Sequence, residues 1–212
     1  MKEVKFSKSF YRVMKWLVAI VLWPFFRTKY TNSNNIPKEG RYIFAANHIS
    51  AVDPILVGVG QKRQIRFMAK MELFQSPFTN WLFTKLGAFP VERGKGDWDS
   101  INNAKAMIDD GDAIGIFIEG TRSKTGELLR PRSGAVMLAH QMDCMVVPVS
   151  VTYRTKKKHL FSRRYIRFGE PVSTAELGIV NGGPREFRDA SRKLMDKITV
   201  LWEADKYGNK AG

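Results

Sequence analysis

The feature that most constrains this chain is the alternation of short apolar runs with windows of helical periodicity. Arg41–Ala46 (RYIFAA), Ile65–Ala69 (IRFMA), Gly87–Val91, Ala113–Ile118 (AIGIFI), Met145–Tyr153 and Tyr165–Phe168 have the length and apolar content of strands. Between them a helix opens at Pro54–Val59, and others are predicted over Pro77–Leu86, Trp98–Asp109 and Gly134–Gln141. Ile101, Ala104 and Ile108 share one face of the third of these. A final amphipathic helix runs from about Pro184 to Ala204. Strands separated by helices favour parallel pairing, because a parallel connection needs a crossover long enough to hold a helix. The expected fold is therefore α/β, with a mixed, largely parallel sheet flanked by helices. Ala113–Ile118, apolar throughout, is predicted to lie at its centre. In such sheets, functional residues gather on loops beyond the carboxyl ends of the strands.

A chain of 212 residues suits one domain with an appendage. The appendage is predicted at residues 1–30 and the main domain at 31–212, with Thr31–Gly40 as a polar, turn-rich linker. Within the appendage, Leu17–Phe26 (LVAIVLWPFF) follows Lys2, Lys5, Lys8, Arg12 and Lys15. It falls short of the roughly 18–20 apolar residues of a spanning helix. Arg27, Thr28 and Lys29 follow without a small-residue cleavage pattern, so a removed leader is not expected. An uncleaved amphipathic helix docked in a membrane interface fits better, with Trp16 and Trp23 at the headgroup boundary and the lysines toward anionic lipid. The alternative is an ordinary core helix.

Charge narrows the partners. A net charge of +15 favours polyanions: nucleic acid, an anionic membrane surface, or acidic carriers and substrates. Nucleic acid is disfavoured, because the aromatics lie inside apolar runs and no nucleic-acid-binding signature is present. The single Cys144 rules out an intrachain disulfide and any multi-cysteine zinc site. It is predicted to be buried and unreactive. His140 and His159 have no context that gives them a role, and no metal site is expected. Lys156–Arg164 (KKKHLFSRR) reads as a solvated hairpin edge, or as a contact for anionic lipid or an acidic carrier.

Two motifs carry chemistry. Asn47–Asp53 (NHISAVD) puts the imidazole of His48 five positions before the carboxylate of Asp53. Five positions on a regular helix turn through about 140°, so the pair must span a loop. Asp53-Pro54 also reads as a helix N-cap followed by proline at the first helical position, which is compatible with a carboxylate orienting an imidazole. Phe117–Ser123 (FIEGTRS) follows a strand and holds Glu119, Gly120, Thr121 and Arg122. Glycine permits close approach, arginine grips phosphate bidentately and threonine adds a donor. The plainer reading is a surface turn with a Glu–Arg pair. Lys70, Arg93 and Arg132 also close or follow strand-like segments, although each alone would be an ordinary solvated charge.

In order along the chain, NHISAVD, AKMELF (Ala69–Phe74), GAFPVER (Gly87–Arg93), FIEGTRS and VPVSV (Val147–Val151) resemble the motif blocks of the glycerolipid and lysophospholipid acyltransferases. The likeness is greatest to bacterial 1-acyl-sn-glycerol-3-phosphate acyltransferases, which also have a membrane-docking N-terminal segment. The resemblance implies transfer of a fatty acyl group from an acyl-carrier-protein or coenzyme A thioester to the 2-hydroxyl of lysophosphatidate, in phospholipid biosynthesis. His48 would be the general base and Asp53 its orienting partner. Lys70, Arg93 and Arg122, with Thr121, would hold the phosphate. Glu119 would orient a basic neighbour or the glycerol, and backbone N–H groups near Gly120 would face the oxyanion. Arg132 matches the basic position after the third block. No bound cofactor is implied, and the protein would sit on the cytoplasmic face of the cell membrane, peripheral or monotopic. Glycerol 3-phosphate or another lysolipid is the alternative acceptor, and a non-catalytic basic module that binds membrane or nucleic acid is the remoter alternative.

Overall fold

The computed structural model describes residues 8–37, 39–91, 98–153 and 163–206. Lys2, Lys5, Arg93, His159 and most of the basic run from Lys156 lie outside these residues, as do the side chains of Trp23 and Ile101. The order of elements is α1 (Lys8–Phe26), β1 (Lys29–Thr31), β2 (Tyr42–Ala46), α2 (Asp53–Val59), β3 (Ile65–Lys70), a 3₁₀ turn (Met71–Phe74), α3 (Pro77–Lys85) and β4 (Phe89–Val91). It continues with α4 (Trp98–Asp109), β5 (Ala113–Phe117), α5 (Gly134–Gln141), β6 (Met145–Tyr153), β7 (Arg164–Phe168) and α6 (Pro184–Lys206).

The seven strands among the described residues form one mixed sheet in the order β1-β7-β6-β2-β5-β3-β4. Every neighbouring pair is parallel except β6 with β7. The α/β expectation therefore holds. The middle position, however, belongs to β2, whose five residues are all buried, and β5 lies beside it. Strand periodicity divides the core between the two faces. Ile43 and Ala45 face the cluster that includes Ile114, Val146, Leu194 and Ile198, whereas Tyr42, Phe44 and Ala46 face the one that includes Leu56, Val57 and Phe67. Each such fully buried aliphatic side chain contributes about 1.5–3 kcal/mol relative to exposure.

Because β2, β3, β4 and β5 run parallel, their carboxyl ends share one edge of the sheet. The segments after Ala46, Lys70 and Phe117 leave from that edge, and they carry His48, Met71–Phe74 and Glu119–Arg122. Across the face formed by α2, the N-terminal helix packs on the domain. Tyr11 is buried, and a Cβ on Gly58 of α2 would lie 3.1 Å from its hydroxyl oxygen. The Nζ of Lys15 donates to the Gln61 carbonyl. The other side of α1 exposes Trp16 (69%) and Ile20 (68%), so the helix is neither wholly core nor detached. Among the described residues, no helix is long and apolar enough to cross a membrane.

Candidate active site

Asp53 is the first residue of α2 and is fully buried. Its Oδ2 lies 2.9 Å from Nδ1 of His48 and accepts the backbone N–H groups of Ile49 at 2.7 Å and Ser50 at 2.6 Å. The expectation that Asp53 caps the helix is corrected. Val52 occupies the cap position without a side-chain bond, and the Asp53 carboxylate turns back over the preceding loop. Proline at the start of α2 has no N–H to offer a cap, whereas the loop presents two N–H groups. A carboxylate facing Nδ1 keeps a proton on that nitrogen and leaves the lone pair of Nε2 outward. The His48 side chain retains 13% exposure, enough for a small reactant to reach it.

The ring is also held from its face. Phe117 stacks on His48 with centroids 3.8 Å apart and planes at 15°, and Phe67 stacks behind Phe117 at 5.6 Å. Gly115 makes room for this column, because a Cβ there would lie 2.3 Å from the Phe67 ring. The main chain of His48 joins the motifs: its N–H donates to Glu119 Oε2 at 3.4 Å, and its carbonyl accepts from Ser123 N at 2.7 Å. Thus NHISAVD and FIEGTRS, distant in sequence, form one surface.

Asn47, not singled out from sequence, fastens a third motif. Its Nδ2 donates to the Val151 carbonyl at 2.9 Å and its Oδ1 accepts from Val151 N at 2.7 Å. This buried amide extends the β2–β6 ladder one step past Ala46↔Val149. The available signal was an asparagine ending an otherwise apolar strand, where only an amide replaces both backbone partners.

Glu119 is 3% exposed, and its Oε1 accepts Leu129 N at 3.1 Å. Burial pushes its carboxyl up to about 7, against the two backbone donors at Leu129 and His48, with the Asp53 charge adding to the rise. The folded state therefore holds this proton more tightly than the unfolded chain. The contribution of Glu119 to stability should be full below about pH 4.5 and decline as pH rises through about 7. Thermal denaturation of wild type and Glu119→Gln across that window should show a steeper decline in wild type; parallel curves would contradict the assignment.

Gly120 lies at φ +71°, and the space a Cβ would fill is taken by Arg132, whose Cδ is 2.6 Å from it. The glycine thus admits a basic side chain of the protein itself. Its N–H donates to the Phe117 carbonyl at 2.9 Å, so it closes the turn and is not left for an oxyanion. Thr121 and Arg122 are exposed, one and two residues before Ser123, which binds the His48 carbonyl. Lys70 is exposed at the end of β3, in register with Val91 of β4. Arg93, beyond β4, lies outside the described residues.

Next to this edge is an apolar cavity of about 180 Å³ between α1, α2, β3, the 3₁₀ turn and α3. Its lining includes Ala51 and Pro54, which belong to the His48–Asp53 segment, together with Phe67, Met14 and Leu73. Such a wall suits a hydrocarbon chain. Elsewhere, Cys144 is buried, and burial pushes its thiol up to about 11, as an inert core cysteine requires. His140 packs edge-on against Phe187 of α6. Among the described residues, no group of three or more His, Cys, Asp or Glu is placed to hold a metal ion.

The acyltransferase family model matches residues 27–152, which contain all the motifs above. The 1-acyl-sn-glycerol-3-phosphate acyltransferase of Bacillus subtilis is 34% identical over 152 residues, 70% of this chain and 75% of that one. The enzyme of the same name from Streptococcus pneumoniae is 27% identical over 219 residues, 98% of this chain and 81% of its own. The crystal structure of the 1-acyl-sn-glycerophosphate acyltransferase of Thermotoga maritima superposes with a TM-score of 0.68 at 24% identity, covering 90% of this chain and 79% of that one, and establishes the likeness of fold. This chain belongs to the acyltransferase family.

Proposed function

We propose that this enzyme transfers a fatty acyl group from an acyl-carrier-protein or coenzyme A thioester to the 2-hydroxyl of lysophosphatidate, giving phosphatidate for phospholipid biosynthesis. One observation carries the reading: the main chain of His48, whose imidazole is held by Asp53, is hydrogen-bonded to the loop that bears Arg122. A base and a phosphate grip so joined serve a single headgroup. As the hydroxyl oxygen attacks the thioester carbonyl, its proton passes to Nε2 of His48, and Asp53 stabilises the imidazolium. Collapse of the tetrahedral oxyanion expels the thiolate, which takes the proton back from His48. The acyl thioester is a substrate, and the reaction so written requires no resident cofactor or metal.

Arg122, Lys70 and Arg93, with Thr121, would bind the phosphate and so position the hydroxyl. Glu119 would act by holding the His48 loop to the chain near Leu129, and the apolar cavity would receive a hydrocarbon chain. The division into an N-terminal interfacial segment, residues 1–30, and an acyltransferase domain, 31–212, is supported by the exposed apolar side of α1, although Lys29 and Tyr30 belong to β1 and pair with β7 in the domain's sheet. That side and the surplus of basic residues favour a peripheral or monotopic place on the cytoplasmic face of the cell membrane.

The reading is tested by supplying purified protein with matched acyl-carrier-protein and coenzyme A donors and either lysophosphatidate or glycerol 3-phosphate. Phosphatidate as the main product supports it; preference for glycerol 3-phosphate would reassign the acceptor. In the same assay, Arg122→Ala should raise the lysophosphatidate KM by about 10–100-fold, the equivalent of one charge-assisted hydrogen bond. An unchanged KM would remove Arg122 from the phosphate site.

A further inference from the structure

The large apolar side chains that this fold leaves to solvent are concentrated in one region. Of the eleven most exposed among the described residues, four lie on α1, two on the 3₁₀ turn and two on α3. The three elements touch. Phe10 of α1 meets Trp81 of α3 edge-on at 5.7 Å, Trp81 stacks beside Phe78 at 6.4 Å, and Phe74 of the turn packs on Phe83 at 5.9 Å. Although α3 (PFTNWLFTK) is rich in aromatics, it buries none of its residues, and Phe78 is 68% exposed. A helix of that composition with no fully buried residue, and with Phe78 and Trp81 turned to solvent, marks an interaction surface.

We infer that α3 and the 3₁₀ turn form, with α1, a second lipid-inserting element that seats the mouth of the apolar cavity on an anionic bilayer. The occupant follows from chemistry. Trp16 and Trp81 are of the type that settles at the headgroup boundary, and Arg12 and Lys70 are exposed on or beside the same elements, against the acidic Glu72, whereas Lys8 is paired with Asp112 of the domain. With nine residues, α3 is suited to lie in the interface and cannot span it. Leu73 belongs both to the exposed group and to the cavity wall, so the two are continuous. A lipid acceptor passing along that continuity keeps its chain out of water, avoiding about 0.8 kcal/mol for each methylene exposed. The inference rests on the acyltransferase reading and extends its membrane contact beyond the N-terminal helix.

The test is co-sedimentation of the full chain with vesicles of phosphatidylglycerol and phosphatidylcholine. Phe78→Ser should weaken partitioning about tenfold, since one inserted aromatic side chain is lost. Phe78→Trp should retain it, and Val180→Ser, which removes an exposed valine outside the patch, should leave it unchanged. In parallel, acyl transfer to a short-chain, water-soluble lysophosphatidate should be the same for Phe78→Ser as for wild type, showing that the variant is folded. Wild-type partitioning by Phe78→Ser overturns the inference. So does conversion of an oligomer to a monomer by Phe78→Ser with vesicle binding unaltered, which would make the patch a contact between copies. Failure of wild type to acylate the soluble acceptor would instead overturn the underlying functional reading, and it is read in a separate assay from partitioning.

Discussion

His48→Ala is expected to lower kcat for acyl transfer by about 10²–10⁴-fold, the range a positioned general base supplies. The acceptor KM should change little, because the phosphate contacts proposed for Arg122 and Lys70 do not use the ring. Folding should survive. The backbone bonds from His48 to Glu119 and Ser123 are independent of its side chain, and Asp53 keeps the N–H groups of Ile49 and Ser50. The variant loses the stack on Phe117 and one bond to Asp53, so a modest fall in the unfolding temperature is expected. Steady-state kinetics alongside thermal denaturation separates the two effects. Wild-type kcat in a folded variant would eliminate His48 as the base.

Asp53→Asn is expected to be comparably severe and to destabilise the fold more than the first substitution does. In a Ser–His–Asp triad the equivalent change lowers kcat by about 10⁴ by favouring the wrong tautomer. The same logic applies where a carboxylate oxygen meets Nδ1 at 2.9 Å. Here three donors converge on Oδ2, while Oδ1 is buried without a hydrogen-bond partner. An amide can keep its oxygen at the Oδ2 position only by burying its NH₂ where Oδ1 now has no partner. Reversing it would set NH₂ against two backbone N–H donors. Either orientation should cost about 1–3 kcal/mol, the penalty of an unsatisfied buried polar group. A lowered denaturation midpoint together with a collapsed kcat is the expected signature; wild-type turnover would show that the carboxylate does not orient the imidazole.

Much of this architecture is legible in the sequence, for reasons that also mark where legibility ends. Buried strands such as Ile43–Ala46 and Ala113–Phe117 announce themselves because both faces are covered, so their residues are apolar in succession. β1 gives no such sign: Lys29–Thr31 is a three-residue polar edge strand, specified by its pairing with Tyr165–Arg167. That β2 and not β5 takes the middle of the sheet depends on strand order, which local composition does not encode.

At the site, spacing identified His48 and Asp53 as a pair across a loop. The direction in which Asp53 turns depends on N–H groups that only the folded loop supplies. The FIEGTRS motif likewise suggested an open glycine, whereas Arg132, twelve residues on, fills that space. Asn47 and Phe117 stood within recognised motifs, but an amide completing a ladder and a ring flanking another ring are relations between segments. Chain-local patterns carry no record of either.

The central claim is that one small headgroup is held between His48 and the loop bearing Arg122. A crystal structure of the enzyme with lysophosphatidate bound tests it directly. The free 2-hydroxyl should lie within about 2.6–3.2 Å of Nε2 of His48, with the phosphate against the loop that carries Thr121 and Arg122. A phosphate bound elsewhere, with the hydroxyl remote from the imidazole, would contradict the account.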